Sequence, residues 1–196
     1  MTTPGTSESH SSTSHSLVVN LQCGKAGAWE RMVQLYTPLI YHWCRRAELS
    51  QEDAADVTQE VLRTVSRGID GFRRDAGGTF RGWLFTVFRS RLIDHCRRQS
   101  KQPQAQGGST AQAQIANTAA DEAEYSSDNA VADLYRRAMA IIEGEFSEAA
   151  WQAFQQTVIH GNTSQEAAAE LGMTAGAVRQ AKYRILRRVR EELGDE

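Results

Sequence analysis

The sequence predicts an all-α protein made of two small helical modules joined by a flexible linker. Three observations carry this. Large apolar residues recur every three or four positions, and no stretch alternates apolar with polar residues as a half-buried strand does. Ser50-Gln51-Glu52-Asp53 and Thr163-Ser164-Gln165-Glu166 each have the pattern of a capped helix start. From Gln99 to Ala130 the chain is built from small and polar residues, with Ile115 and Tyr125 its only large apolar ones. Such a stretch cannot bury enough surface to offset the entropy of ordering it, so it divides the chain.

Residues 1–16 are mostly Ser and Thr, lack the basic start and apolar core of a signal peptide, and are expected to be a disordered tail. The first module, residues 17–98, begins with Trp29, Met32, Val33, Tyr36, Leu39, Ile40 and Trp43 at helical spacing, with Pro38 expected to bend or break the helix. Ser50 opens a second helix whose apolar positions are Ala54, Val57, Val61, Leu62 and Val65. Four glycines make Gly68 to Gly78 a loop, and Thr79 can cap a long third helix that buries Phe80, Leu84, Val87, Phe88 and Leu92.

After the linker, residues 99–130, the second module covers 131–196. Val131, Leu134, Tyr135, Ala138, Ile141 and Ile142 form its first apolar stripe. Trp151, Phe154 and Val158 form the next, in a helix that Ser147 can cap and Gly161 can end. A short helix after Thr163, a turn containing Gly172 and a basic helix from about Thr174 make a helix-turn-helix.

The 196 residues carry 22 Lys and Arg against 24 Asp and Glu, a formal net charge of -2, distributed unevenly. Six basic residues and one acid lie between Arg81 and Lys101; six basic residues and no acid lie between Arg179 and Arg190. Two basic helical stretches suit two contacts with a polyanion. No apolar run approaches the ~20 residues of a membrane span, so membrane insertion is excluded. Three widely spaced cysteines suggest neither a disulfide framework nor a zinc site, and point to a reducing, cytoplasmic location.

In the basic helix, Val178, Ala181, Ile185 and Val189 should face the core. That leaves Ala175, Gly176, Arg179, Gln180 and Tyr183 outward near its start, where a recognition helix meets base edges, with Arg184, Arg187 and Arg188 placed to meet phosphates. The segment from Gly71 to Arg91 interleaves aromatic and basic residues, a composition that suits single-stranded nucleic acid but also an ordinary helical core. Asp53, Asp56, Gln59 and Glu60 give the second helix a carboxylate-rich face, by itself a solvated surface. His42 with Cys44, and Asp94-His95-Cys96, point around their helices rather than into one site, so no metal, cofactor or catalytic residue is expected.

Taken with Tyr36-Thr37-Pro38-Leu39-Ile40, Asp53-Ala54-Ala55-Asp56-Val57-Thr58-Gln59-Glu60-Val61, Thr79-Phe80-Arg81-Gly82-Trp83-Leu84, Arg91-Leu92-Ile93-Asp94, Ala167-Ala168-Ala169-Glu170-Leu171-Gly172-Met173 and Gly176-Ala177-Val178-Arg179, the chain resembles bacterial RNA polymerase sigma factors of the extracytoplasmic-function group. The first module then corresponds to the family's region two and the second to region four. The resemblance implies that Asp53, Asp56, Gln59 and Glu60 dock on the clamp coiled coil of RNA polymerase. It implies that Phe72, Arg73, Arg74, Phe80, Arg81, Trp83 and Arg89 recognise and open the promoter minus-10 element. It assigns the minus-35 element to Ala175, Gly176, Arg179, Gln180, Lys182, Tyr183, Arg184 and Arg187. The family commonly has Asn where this chain has Ser90.

The expected function is therefore a non-enzymatic initiation factor whose partners are core RNA polymerase, promoter DNA in duplex and single-stranded form, and an anti-sigma protein. One rival is a free-standing helix-turn-helix regulator, which would bind duplex DNA without polymerase. The other is a nucleic-acid-processing enzyme using Asp94, His95 or His42, for which no ligand set is assembled.

Overall fold

The structure is a computed structural model describing residues 16–73, 78–99 and 122–195. It is all-α: among these residues there is no strand. Leu17–Gln22 (α1) leads into Ala28–Arg46 (α2), which buries Met32, Leu35, Tyr36, Leu39, Ile40, Trp43 and Cys44 on one face. The helix continues unbroken through Pro38, so the expected break does not occur, and Pro38 is exposed.

Gln51–Gly68 (α3) starts where Ser50 accepts a hydrogen bond from the Asp53 amide, and it buries Ala54, Val57, Val61, Leu62 and Val65 together with Thr58. A single tight turn, Ile69–Gly71, follows. Phe80–Gln99 (α4) begins with Thr79 accepting from the Gly82 amide and buries Phe80, Leu84, Phe85, Phe88 and Leu92. The stripe is thus centred on Phe85 rather than Val87, which is half-buried. Helices α2, α3 and α4 pack side by side around these residues.

Beyond residue 121 the chain forms Glu122–Tyr125 (α5), Asp128–Ile142 (α6), Glu148–Phe154 (α7), Ser164–Leu171 (α8) and Ala175–Glu192 (α9). Ser127, Ser147, Thr163 and Thr174 cap the last four by accepting from the amide three residues on. At Thr163 the box is complete, because the Glu166 carboxylate accepts the Thr163 amide at 2.8 Å. Gly172 ends α8 at φ +63, a conformation that L side chains rarely adopt, and so turns the chain into α9. After α7 the helix loosens into a π turn over Gln155–Ile159, where the Thr157 hydroxyl donates to the carbonyls of Ala153 and Phe154. That rotation leaves Val158 and Ile159 exposed, so Val158 is not part of the stripe expected of it.

Two features differ from a pair of separate modules. The end of the expected linker is structured: Tyr125 packs on Phe85 and Phe88, and Trp43 donates its indole N–H to Ser126. One apolar cluster also runs through both halves, joining Met32, Leu35 and Phe80 to Leu134, Ile142, Ile185 and Leu193. A smaller second cluster, Ala153, Ala167, Ala168, Val178 and Ala181, holds α8 and the start of α9 against α7. The expected tail to residue 15 and the linker between 100 and 121 lie outside the described residues. Among those described, no helix is long and apolar enough to cross a membrane.

Candidate functional site

The polar face of α3 is divided in two. Asp56 and Gln59 are exposed. Asp53 and Glu60 are tied to α4: Asp53 accepts from Gln99 at 3.1 Å and lies 3.3 Å from the His95 ring nitrogen, while one Arg98 nitrogen reaches both Glu60 oxygens at 2.9 and 2.7 Å. That hydrogen bond from Arg98 lowers the Glu60 pKa below the ordinary glutamate value. Beside it, Arg63, Arg67, Arg91, Arg97 and Arg98 line a groove of about 540 Å³ with Glu60 and Asp94. On the other side, Gln59 borders a groove of about 450 Å³ with Trp29, Val33 and Leu62. The α3 surface therefore offers a polar pair next to half-buried apolar side chains. Trp29 and Val33 were legible only as core, because their spacing does not say which edge of a helix stripe stays open.

The aromatic-basic segment after α3 is packed. Phe72, expected on an exposed loop, is 8% exposed: it meets Phe80 edge-on at 5.8 Å and Trp83 at 5.2 Å. The correction has a physical cause, since Gln22 of α1 donates to the carbonyls of both Ile69 and Phe72 at 3.0 Å and holds the turn against the core. Phe80 is fully buried and Trp83 half-buried. Arg81 pairs with Glu122, Arg89 is half-buried and engaged, and Arg73 is exposed, donating to the Asp70 carbonyl at 3.2 Å. Arg74 lies outside the described residues.

In the second half, Val178, Ala181, Ile185 and Val189 are buried as their spacing predicts. Gly176, Arg179, Gln180, Tyr183, Arg184 and Arg187 are exposed, Tyr183 at 65%, and Ala175 and Lys182 are half-exposed. These residues form one continuous face over the first three turns of α9. Arg188 departs from the expectation. Its side chain is 6% exposed and is held by Glu145 at 2.7 and 2.9 Å and by Glu192 at 2.8 Å, so it cannot meet a phosphate. Burial alone would lower its pKa, but the hydrogen bonds to Glu145 and Glu192 outweigh it and keep the guanidinium charged.

The residues of the enzyme rival are occupied singly. His42 lies 3.3 Å from the Ser127 hydroxyl, Asp94 pairs with Arg91, and His95 faces Asp53. Among the described residues no three His, Cys, Asp or Glu side chains could hold a metal. Cys44 is buried beside Thr58, and burial pushes its thiol up to about 11, leaving it unreactive at neutral pH.

Comparison with known proteins adds the following. Residues 32–102, which span α2 to α4, match the family Sigma-70 region 2. The chain is 25% identical over 182 residues to the ECF RNA polymerase sigma factor BldN of Streptomyces coelicolor, an alignment covering 92% of this chain but only 66% of that relative. It is 23% identical to the ECF RNA polymerase sigma factor SigD of Mycobacterium tuberculosis, covering 90% of this chain and 82% of the relative. Among solved structures, CnrH in complex with the cytosolic domain of CnrY aligns at 19% identity and a TM-score of 0.36, covering 90% of this chain and 94% of that one.

Proposed function

We propose that this chain is an RNA polymerase sigma factor of the extracytoplasmic-function group, which binds core RNA polymerase and directs it to promoters by contacts at the minus-35 and minus-10 elements. Sigma factors are transcription initiation factors without catalysis of their own, so phosphodiester bond formation belongs to the polymerase.

The observation that carries the reading is the match over α2 to α4 together with the open Asp56 and Gln59 on α3. An exposed carboxylate on the helix whose Gln59 borders the Trp29, Val33 and Leu62 groove suits a protein partner, because charge steers the approach and apolar contact holds it. The exposed face of Arg179, Gln180 and Tyr183 suits base edges in a major groove, with Arg184 and Arg187 on flanking phosphates. Arg73, Arg74 and Trp83 are among the groups assigned to the opened minus-10 strand. Control by a separate anti-sigma protein belongs to the same reading.

The test is transcription by core polymerase on a library of genomic fragments, with and without the chain, followed by sequencing of transcript ends. Start sites that depend on the chain and share upstream elements support the proposal; an unchanged set of transcripts refutes it.

A further inference from the structure

Positive charge is concentrated where α3 and α4 run side by side. The guanidiniums of Arg63, Arg67, Arg91, Arg97 and Arg98 line one groove of about 540 Å³ against the carboxylates of Glu60 and Asp94 alone. Both carboxylates are already engaged, Glu60 by Arg98 at 2.7 Å and Asp94 by Arg91 at 3.1 Å. Arg63 and Arg67 are exposed and one helical turn apart, and no ion pair holds either of them among the described residues. Like charges at that spacing repel, so the fold gains nothing from the pair and a bound anion would relieve it. Arg91 keeps donor capacity as well: its Nε is buried with no hydrogen-bond partner among the described residues.

The same two arginines line a second groove, of about 450 Å³, together with Trp29, Val33 and Leu62. Arg63 and Arg67 are thus shared by a cationic groove and an apolar one that contains a half-buried indole. We propose that the two grooves form a binding site for a nucleoside polyphosphate, its phosphates among Arg63, Arg67, Arg91 and Arg98 and its base against Trp29, Val33 and Leu62. Adjacent phosphates carry several negative charges in a short span, and guanidiniums bond phosphate oxygens two at a time. The base has a flat face that stacks on tryptophan. Each groove is of the size that small-molecule sites have. The Arg98–Glu60 pair lies open to solvent, so redirecting Arg98 to a phosphate costs little. A duplex backbone could meet the arginines, but its bases are stacked inside and leave the Trp29 groove unused. The site is independent of the promoter reading.

The test is calorimetric titration of the full chain with ATP, with GTP and with inorganic tripolyphosphate at moderate salt. At least one nucleotide should bind saturably and about 5-fold or more tighter than tripolyphosphate, because only the nucleotide has a base to stack. Arg63→Ala combined with Arg67→Ala should weaken all three probes by about 10-fold or more, as the loss of charge-assisted hydrogen bonds requires. Both side chains are exposed, so circular dichroism should show this variant folded like the parent. The nucleotide should also quench tryptophan fluorescence, and Trp29→Phe should remove the quenching while nucleotide binding persists. Tripolyphosphate bound as tightly as both nucleotides would overturn the placement of the base, and unchanged affinity in the folded double variant would overturn the site. Binding of a random-sequence oligonucleotide with no binding of the small probes would give the arginines to nucleic acid and overturn it equally.

Discussion

Arg188 and Glu145 meet at two points, guanidinium Nε to one carboxylate oxygen at 2.7 Å and Nη2 to the other at 2.9 Å, across 43 residues of chain. Glu192 completes the set from one turn further along α9. Adjacent arginines in one basic run thus do opposite things: Arg187 faces solvent, and Arg188 ties α9 to the turn after α6.

Arg188→Ala should lower stability by about 3 kcal/mol, because it strands the fully buried Glu192 carboxylate without its closest partner. Arg188→Lys should recover little, since an ammonium cannot replace the two-point contact. Urea unfolding measures both. A loss below about 1 kcal/mol would mean the pair is solvated.

Arg179→Ala and Arg187→Ala should separate base reading from phosphate contact. The first should relax preference at one or two base pairs of the upstream element, at a cost of roughly 1–3 kcal/mol for a bidentate contact. The second should weaken all sequences alike and flatten the salt dependence. A panel of promoter variants distinguishes them, and the same uniform loss from both would refute the assignment of Arg179.

Phe72→Ala should be destabilising by about 3 kcal/mol, as the loss of a buried ring from the Phe72–Phe80–Trp83 cluster requires. Promoter opening is therefore better probed through Arg73, which is exposed. Arg73→Ala should keep the parent's thermal midpoint yet give fewer permanganate-reactive thymines on linear promoter DNA, with a pre-melted template restoring transcription. Normal opening by that variant would leave this arginine without the assigned role.

How much of this was legible follows from the range of each signal. The caps at Ser50, Ser147 and Thr163, and the buried faces of α3 and α9, are set by residues three or four apart, so spacing alone finds them. Arg188 looked like its neighbours because its partner Glu145 lies 43 residues away. Phe72 looked like a loop residue because composition does not reveal the clamp by Gln22. The docking of Tyr125, Leu193 and Gly194 on the first half was hidden for the same reason: a polar-flanked aromatic and a near-terminal glycine carry no periodic pattern. For the site, the helical spacing places Asp56, Gln59 and Arg179 on exposed faces, whereas the ties of Asp53 and Glu60 to α4 needed coordinates.

Glu60 should contribute stability that depends on pH. Its pKa is lowered in the folded state by Arg98, so the contribution is full above the unfolded glutamate value and disappears as pH falls through the folded one. Urea midpoints of the parent and Glu60→Gln should therefore differ most at neutral pH and converge as the pH is lowered below the ordinary glutamate range. A gap that stays constant with pH would show that the Arg98 pair is not its source.

The central claim is that the α3 face binds core RNA polymerase, and size-exclusion chromatography of the purified chain with core enzyme at moderate salt tests it most directly. The chain should comigrate with the polymerase, and the combination of Asp56→Arg with Gln59→Ala should abolish comigration without loss of helicity, since charge reversal would meet like charge on the partner. Separate elution of the parent chain, or comigration of the double variant equal to the parent's, would contradict the account.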